Sequence, residues 1–203
     1  PKGGFFMPLS IFIEMTISAI LTVWSPGPNN ILLFSTASKY GFSKNLPFMT
    51  GIWTGSLTLM CLSGTFCTAL SSIVPGIQPV MKYLGAAYVL YLAWQTFKRQ
   101  PPMQSSHEKK PTWLMGFFLQ LINIKIIIYG LTMFSAYILP YESGVFMLFL
   151  FALYLMFLGA LGNLIWAFAG NILKQFYSSH YKLMNNIMAL LLVWCSLRIT
   201  GLF

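Results

Sequence analysis

Long apolar runs make up most of the chain, separated by short clusters of Pro, Gly, Lys and Asn. A run of about twenty residues with few charges is the length a helix needs to cross a bilayer. Six such runs stand out, at roughly 8–24, 46–67, 79–97, 113–139, 145–170 and 183–202. The turn formers between them are Gly41, Pro47, Pro75-Gly76, Pro79, Pro101-Pro102, Pro140 and Gly144. The pattern predicts an all-α integral membrane protein of six transmembrane helices.

Two apolar segments are longer than one crossing requires. As continuous helices, 8–38 would measure about 46 Å and 112–139 about 42 Å, against a hydrocarbon core of about 30 Å. Each carries a polar interruption near its middle. The first is Ser25-Pro26-Gly27-Pro28-Asn29-Asn30 and the second Asn123-Ile124-Lys125. Polar or broken backbone at that depth is tolerated only where it is buried in protein or lines a cavity. The first and fourth helices are therefore expected to be broken or distorted.

The polar stretch at about 100–111 splits a single domain, 7–203, into repeat one (about 7–99) and repeat two (about 112–203). Three spans per half is an odd number, so the second half enters the membrane in the opposite sense. Inverted repeats with interrupted helices at matching positions are a pointer to a transporter's binding site. The middle spans also carry paired small residues, Gly51 with Gly55 and Gly159 with Gly162, which predict close helix contacts.

Composition agrees with this pattern. With 57% hydrophobic and 7% charged residues and a mean hydropathy of +0.73, too little polar surface exists to coat a water-soluble globule. Twelve Lys and Arg against three acids give a formal charge of +9. The bases fall in alternate connections: Lys39 and Lys44, then Lys98, Arg99, Lys109 and Lys110, then Lys174 and Lys182. The loop after span four has Glu142 and no base. The positive-inside rule then places the first, third and fifth loops in the cytoplasm and both termini in the periplasm. Trp94 and Trp113 flank the most basic loop as interfacial anchors. These are membrane-orienting charges, and no nucleic-acid partner is expected. Membrane lipid is, and the chain is compatible with a homo-oligomer.

Cys61, Cys67 and Cys195 lie in apolar runs without metal-ligand spacing, and no phosphate-binding or dinucleotide motif occurs. No cofactor, metal or catalytic group is expected. An intramembrane enzyme would need clustered catalytic groups that the lone Glu14, scattered cysteines and distant His107 and His180 do not supply. A structural membrane subunit is the other alternative. The first run lacks a basic leader and a cleavage site, so it reads as a retained helix. Pro1–Phe6 read as an addition ahead of a natural start at Met7.

Each interruption has its own chemistry. Pro26 and Pro28 around Gly27 rule out a continuous helix. The break frees carbonyls on one side and, on the other, the amides of a new helix starting near Pro28, which favour an anion. Asn29 and Asn30 add donors and acceptors. A plain helix end at the interface is the alternative. Lys125 lies near mid-span, where an ammonium costs about 2.5–3.5 kcal/mol to insert. It is expected to bind a substrate carboxylate, to pair with Glu14 in the empty state, or to be satisfied by carbonyls near position 25. Asn123 and Gln120 can share a face, as site residues or as polar links between helices. Glu14 reads as a proton acceptor, the partner of an amino group, or an interfacial residue. Tyr83, Tyr88 and Tyr91 have helical spacing, with packing as their expected role.

These residues resemble a known family. Ser25-Pro26-Gly27-Pro28-Asn29-Asn30 and Phe118-Leu119-Gln120-Leu121-Ile122-Asn123-Ile124-Lys125 are similar to motifs of the lysine-exporter and homoserine/threonine-resistance superfamily of bacterial amino-acid exporters. Gly85-Ala86-Ala87-Tyr88 with Tyr91-Leu92-Ala93-Trp94 fits too, and the resemblance covers 7–203. The double asparagine and an Asn-x-Lys lacking proline are most similar to the cysteine and O-acetylserine exporters. Ile124 stands where the wider family has proline, which removes one usual cause of a sharp break in span four. The resemblance implies a bacterial inner-membrane transporter, not an enzyme. It further implies efflux of small zwitterionic, neutral amino acids, driven by protons. The candidate substrate-binding residues are Pro26, Gly27, Pro28, Asn29, Asn30, Asn123 and Lys125. Glu14 is a candidate coupling residue by its own chemistry, and the resemblance does not imply an acid at that position.

Overall fold

The computed structural model describes residues 7–25, 27–98 and 111–200, leaving out the side chains of 66, 68–82, 84, 85, 88, 174, 177, 178 and 198–200. Pro26, His107, the 100–110 linker and the side chain of Tyr88 thus lie outside the described residues. Helices account for nearly all of the rest. They are α1 (Leu9–Trp24), α2 (Pro28–Tyr40), α3 (Phe42–Phe97), α4 (Trp113–Leu121), α5 (Ile124–Thr132), α6 (Val145–Ile172), α7 (Lys174–Ser179) and α8 (Tyr181–Thr200). A six-residue π-helical stretch, Met133–Ile138, continues α5, with Leu139 N–H donating five residues back to Phe134 O at 2.8 Å.

Both expected breaks are present. Ser25 takes an extended conformation (φ −61°, ψ 151°), the region preferred before proline, and ends α1. Pro28 opens α2 at a first-turn position, where its missing N–H is harmless. The two axes meet at 53°. The second break is at least as sharp, 60° between α4 and the Ile124–Ile138 segment, although no proline is present. Asn123 causes it. Its backbone leaves the helix at ψ 96° and its side-chain oxygen accepts from Lys125 N–H at 3.2 Å, capping a new helix. A side-chain cap thus does the work proline does in the first break.

Among the described residues, two helices, Phe42–Thr65 and Val145–Ile172, are long and apolar enough to cross a membrane. Counting each bent pair as one span gives up to four, and Tyr181–Leu197 adds a shorter apolar helix. The sequence reads separate spans at 46–67 and 79–97, whereas the helical backbone runs unbroken from Phe42 to Phe97 through Pro75, Gly76 and Pro79. A proline removes one helical hydrogen bond and can kink a helix without ending it, so these turn residues do not stop the ladder.

α2 sits at the centre, buried along its length from Pro28 to Lys39. Lys39 therefore belongs to the buried last turn of α2, at the negative end of its dipole, and not to an open loop as its charge suggested. Gly41 ends α2 with φ 86°, a backbone angle glycine adopts without strain, and its N–H returns to Ala37 O at 2.9 Å. Thr36 of α2 is bonded to Asn45 of α3 inside the bundle: Thr36 Oγ1 donates to Asn45 Oδ1 at 2.7 Å, and Asn45 Nδ2 to Leu33 O at 3.1 Å.

Close backbone contacts fix the helices around α2. A Cβ on Gly51 of α3 would lie 2.1 Å from Trp113 O, and one on Gly116 of α4 would lie 2.2 Å from Phe48 O. On Gly170 of α6 it would lie 2.3 Å from Phe34 O of α2. Gly55 and Gly162 are close-packed as well, against Gln120 and Trp24. Gly159 is not: nothing lies within 4 Å of its Cβ direction.

Candidate functional site

A helix that stops inside a bundle leaves its last carbonyls without partners, and burial makes each of them costly. At the end of α1 the carbonyls of Thr22, Val23 and Trp24 each find a side chain. Thr22 O accepts from Ser25 Oγ at 2.8 Å, Val23 O from Asn30 Nδ2 at 2.9 Å, and Trp24 O from Trp166 Nε1 at 3.1 Å. Ser25 O accepts from Asn30 Nδ2 at 3.0 Å and from Lys125 Nζ at 3.4 Å. Lys125 Nζ also donates to Ser25 Oγ at 2.8 Å. The ammonium from the second half is thereby seated on the break of the first.

A chain of amides joins the two breaks. Asn123 Nδ2 donates to Asn29 Oδ1 at 3.1 Å, and Asn29 Nδ2 donates to Gln120 Oε1. Gln120 and Asn123 do share a face, and both reach α2. On the other side of α2, Asn163 Nδ2 of α6 donates to Asn30 Oδ1 at 2.9 Å. Asn29, Asn30, Gln120, Asn123 and Asn163 are all buried. Amides bonded to one another in this way satisfy the rule that buried polar groups must be paired.

Gly27, Pro28, Asn29, Asn30, Asn123 and Lys125 line one cavity between the breaks. Its volume, as space open to the centre of a water-sized sphere, is roughly 30 Å³, room for about two waters. The N-terminal turns of α2 and α5 both border it, so two helix dipoles present their positive ends beside the Lys125 ammonium. Among the described residues, no acidic side chain lines the cavity. The arrangement attracts an anionic group.

Of the residues expected at the site, only Pro26 lies outside the described residues, and only Glu14 lies away from the cavity. Glu14 is exposed on α1, where Tyr137 Oη donates to it at 3.4 Å. Lys125 takes Ser25 as its partner in this structure. Its contact there matches the expectation of a lysine satisfied by carbonyls near position 25.

Asn163, Gly159 and Trp53 are among the cavity residues that the sequence reading does not assign to the site. Asn163 carried a usable signal, an amide in the middle of the most apolar span. Gly159, which its spacing from Gly162 predicts to be a packing residue, lines the cavity instead. Trp53 lines the cavity with its indole N–H buried and unpartnered, and nothing in its apolar neighbourhood marks it.

Comparison with known proteins adds to this geometry. The family described as LysE type translocator matches residues 20–200. A cysteine/O-acetylserine efflux protein of Salmonella choleraesuis (strain SC-B67) is 35% identical over 193 residues, covering 95% of this chain and 97% of the relative. The protein of the same description from Escherichia coli (strain K12) is 33% identical over 192 residues, covering 94% and 96%. No solved structure matches the chain.

Proposed function

The chain belongs to the LysE type translocator family, and from that premise we propose that it exports small neutral amino acids, cysteine and O-acetylserine foremost, by alternating access around the cavity between its two breaks. It is a transporter and not an enzyme. The observation that carries the reading is the seating of Lys125 on the broken end of α1, beside two helix N-termini, in a cavity with no described acidic lining.

Recognition follows from the donors and acceptors present. A substrate carboxylate meets the first-turn amides of α2 at Asn29 and Asn30, together with the Lys125 ammonium. Lys125 uses two of its three N–H groups in its described contacts, both on Ser25, so one is free for the carboxylate. As the carboxylate draws the ammonium away, Ser25 O gains a lone pair for the substrate's own ammonium. The oxygens of Asn30 and Asn123 each have a second lone pair for the same purpose. Lys125 thus trades an internal partner for the ligand. The cavity is too small for an amino acid as it stands, so binding requires the halves to part.

Six spans in two inverted halves, with both termini periplasmic and protons as the coupling ion, complete the proposal. In it α3 supplies two spans. Two features support this. As a straight rod α3 would separate Phe48 from Leu92 by roughly 66 Å, yet both residues belong to one hydrophobic cluster with α8. Ala86 O also accepts from Ser196 Oγ of α8 at 3.0 Å.

Counterflow in proteoliposomes tests the reading. Vesicles loaded with unlabelled cysteine are expected to take up labelled cysteine and O-acetylserine, more slowly serine and threonine, and not lysine. Uptake of lysine alone would overturn the assignment. Trp53 gives a second expected result. An unpaired buried N–H costs about 1–3 kcal/mol, so its purpose here is to meet the substrate. Trp53→Phe should raise the KM for export while leaving the melting temperature equal or higher. A lower melting temperature with unchanged KM would make Trp53 a packing residue only.

A further inference from the structure

Gly159 has no packing reason to be glycine. Among the described residues the other glycines inside the bundle are close-packed. A Cβ on Gly51, Gly116 or Gly170 would strike backbone, and one on Gly55, Gly64, Gly130 or Gly162 would strike a neighbour within 3 Å. At Gly159, in the middle of the longest apolar helix after α3, the same construction meets nothing within 4 Å. A mid-helix glycine weakens a helix relative to alanine. Here nothing in the packing offsets that weakness.

The open space is on the site side of α6. Leu155, Met156, Gly159, Ala160 and Asn163 all line the cavity, and their spacing of one, three and four puts them on one face of the helix. Asn163 lies one turn beyond Gly159 and holds Asn30 at the first break. Space left by the missing side chain is therefore part of the cavity. We propose that Gly159 sets the size limit for the substrate's side chain, admitting amino acids whose side chain extends beyond the length of serine or cysteine, such as an O-acyl serine. This inference rests on the export reading above and adds a residue that reads side-chain length.

A methyl group placed there fits the fold and narrows the site. One methylene more or less in an apolar pocket shifts discrimination by roughly 10- to 200-fold. The test is kcat/KM for O-acetylserine and for cysteine, measured by counterflow with wild type, Gly159→Ala and Gly159→Leu. Gly159→Ala is expected to lower the O-acetylserine to cysteine ratio about ten-fold, with a melting temperature equal to or above wild type. Gly159→Leu is expected to block both substrates while still inserting. An unchanged ratio in Gly159→Ala, or equal loss of both substrates with a lowered melting temperature, would overturn the size role and leave export intact. Absence of any flux through wild type would overturn the export reading and this inference with it.

Discussion

Lys125→Ala is expected to abolish export while leaving a folded, inserted protein. The two halves of that result have separate causes. Transport is lost because the ammonium is the only full positive charge described at the cavity, and the carboxylate of a zwitterion has no equal partner without it. The fold survives because Lys125 is a second donor where it binds. Ser25 O still accepts from Asn30 Nδ2 at 3.0 Å, and Ser25 Oγ still donates to Thr22 O at 2.8 Å. No carbonyl of the broken helix loses its last partner. Removing a charge from mid-membrane also relieves an insertion cost of about 2.5–3.5 kcal/mol. Export should fall at least a hundred-fold, about 2.7 kcal/mol in transition-state terms, with the melting temperature in detergent unchanged or raised. Wild-type flux in the alanine variant removes Lys125 from the mechanism. A variant that aggregates would show that the lysine serves the fold instead.

How legible this site was in the sequence depended on how local each cause is. Pro26-Gly27-Pro28 announces a break by chemistry contained in three residues, and the structure has it at that point. Asn123 makes an equally sharp break by capping, which any helix-interior asparagine fails to do unless its neighbours release the backbone. Here the Asn123 side chain is held by Asn29, 94 positions away in sequence, to which it donates at 3.1 Å. Gly159 and Gly162 look alike on the page, three residues apart in one helix. One meets the Trp24 ring and the other meets open space, and only the path of α1 decides which. Trp53 and Asn163 joined the site for the same reason: what surrounds them is brought by other helices.

Gly51→Ala is expected to have the opposite outcome to Gly159→Ala. The new methyl would lie 2.1 Å from Trp113 O and 2.9 Å from Trp113 C. An ordinary contact needs at least 3.4 Å, so α3 and α4 must separate by more than 1 Å. Backbone cannot rotate aside as a side chain can. Overpacking of this kind costs about 1–3 kcal/mol, and a rigid neighbour puts it at the upper end. The damage then travels along α4. Gly116 faces Phe48 O across the same crossing, and Gln120 packs on Gly55 one turn further on. Moving α4 draws Gln120 off Asn29 and loosens the amide chain that holds Asn123 and the second break. Gly51→Ala should therefore melt several degrees below wild type and lose transport of every substrate together. Gly159→Ala should melt no lower and change only selectivity. The two variants, purified and measured side by side in the same detergent, separate a glycine that permits packing from one that leaves space for a ligand. A Gly51→Ala protein with wild-type melting and flux would mean that the α3–α4 crossing is looser than these contacts allow.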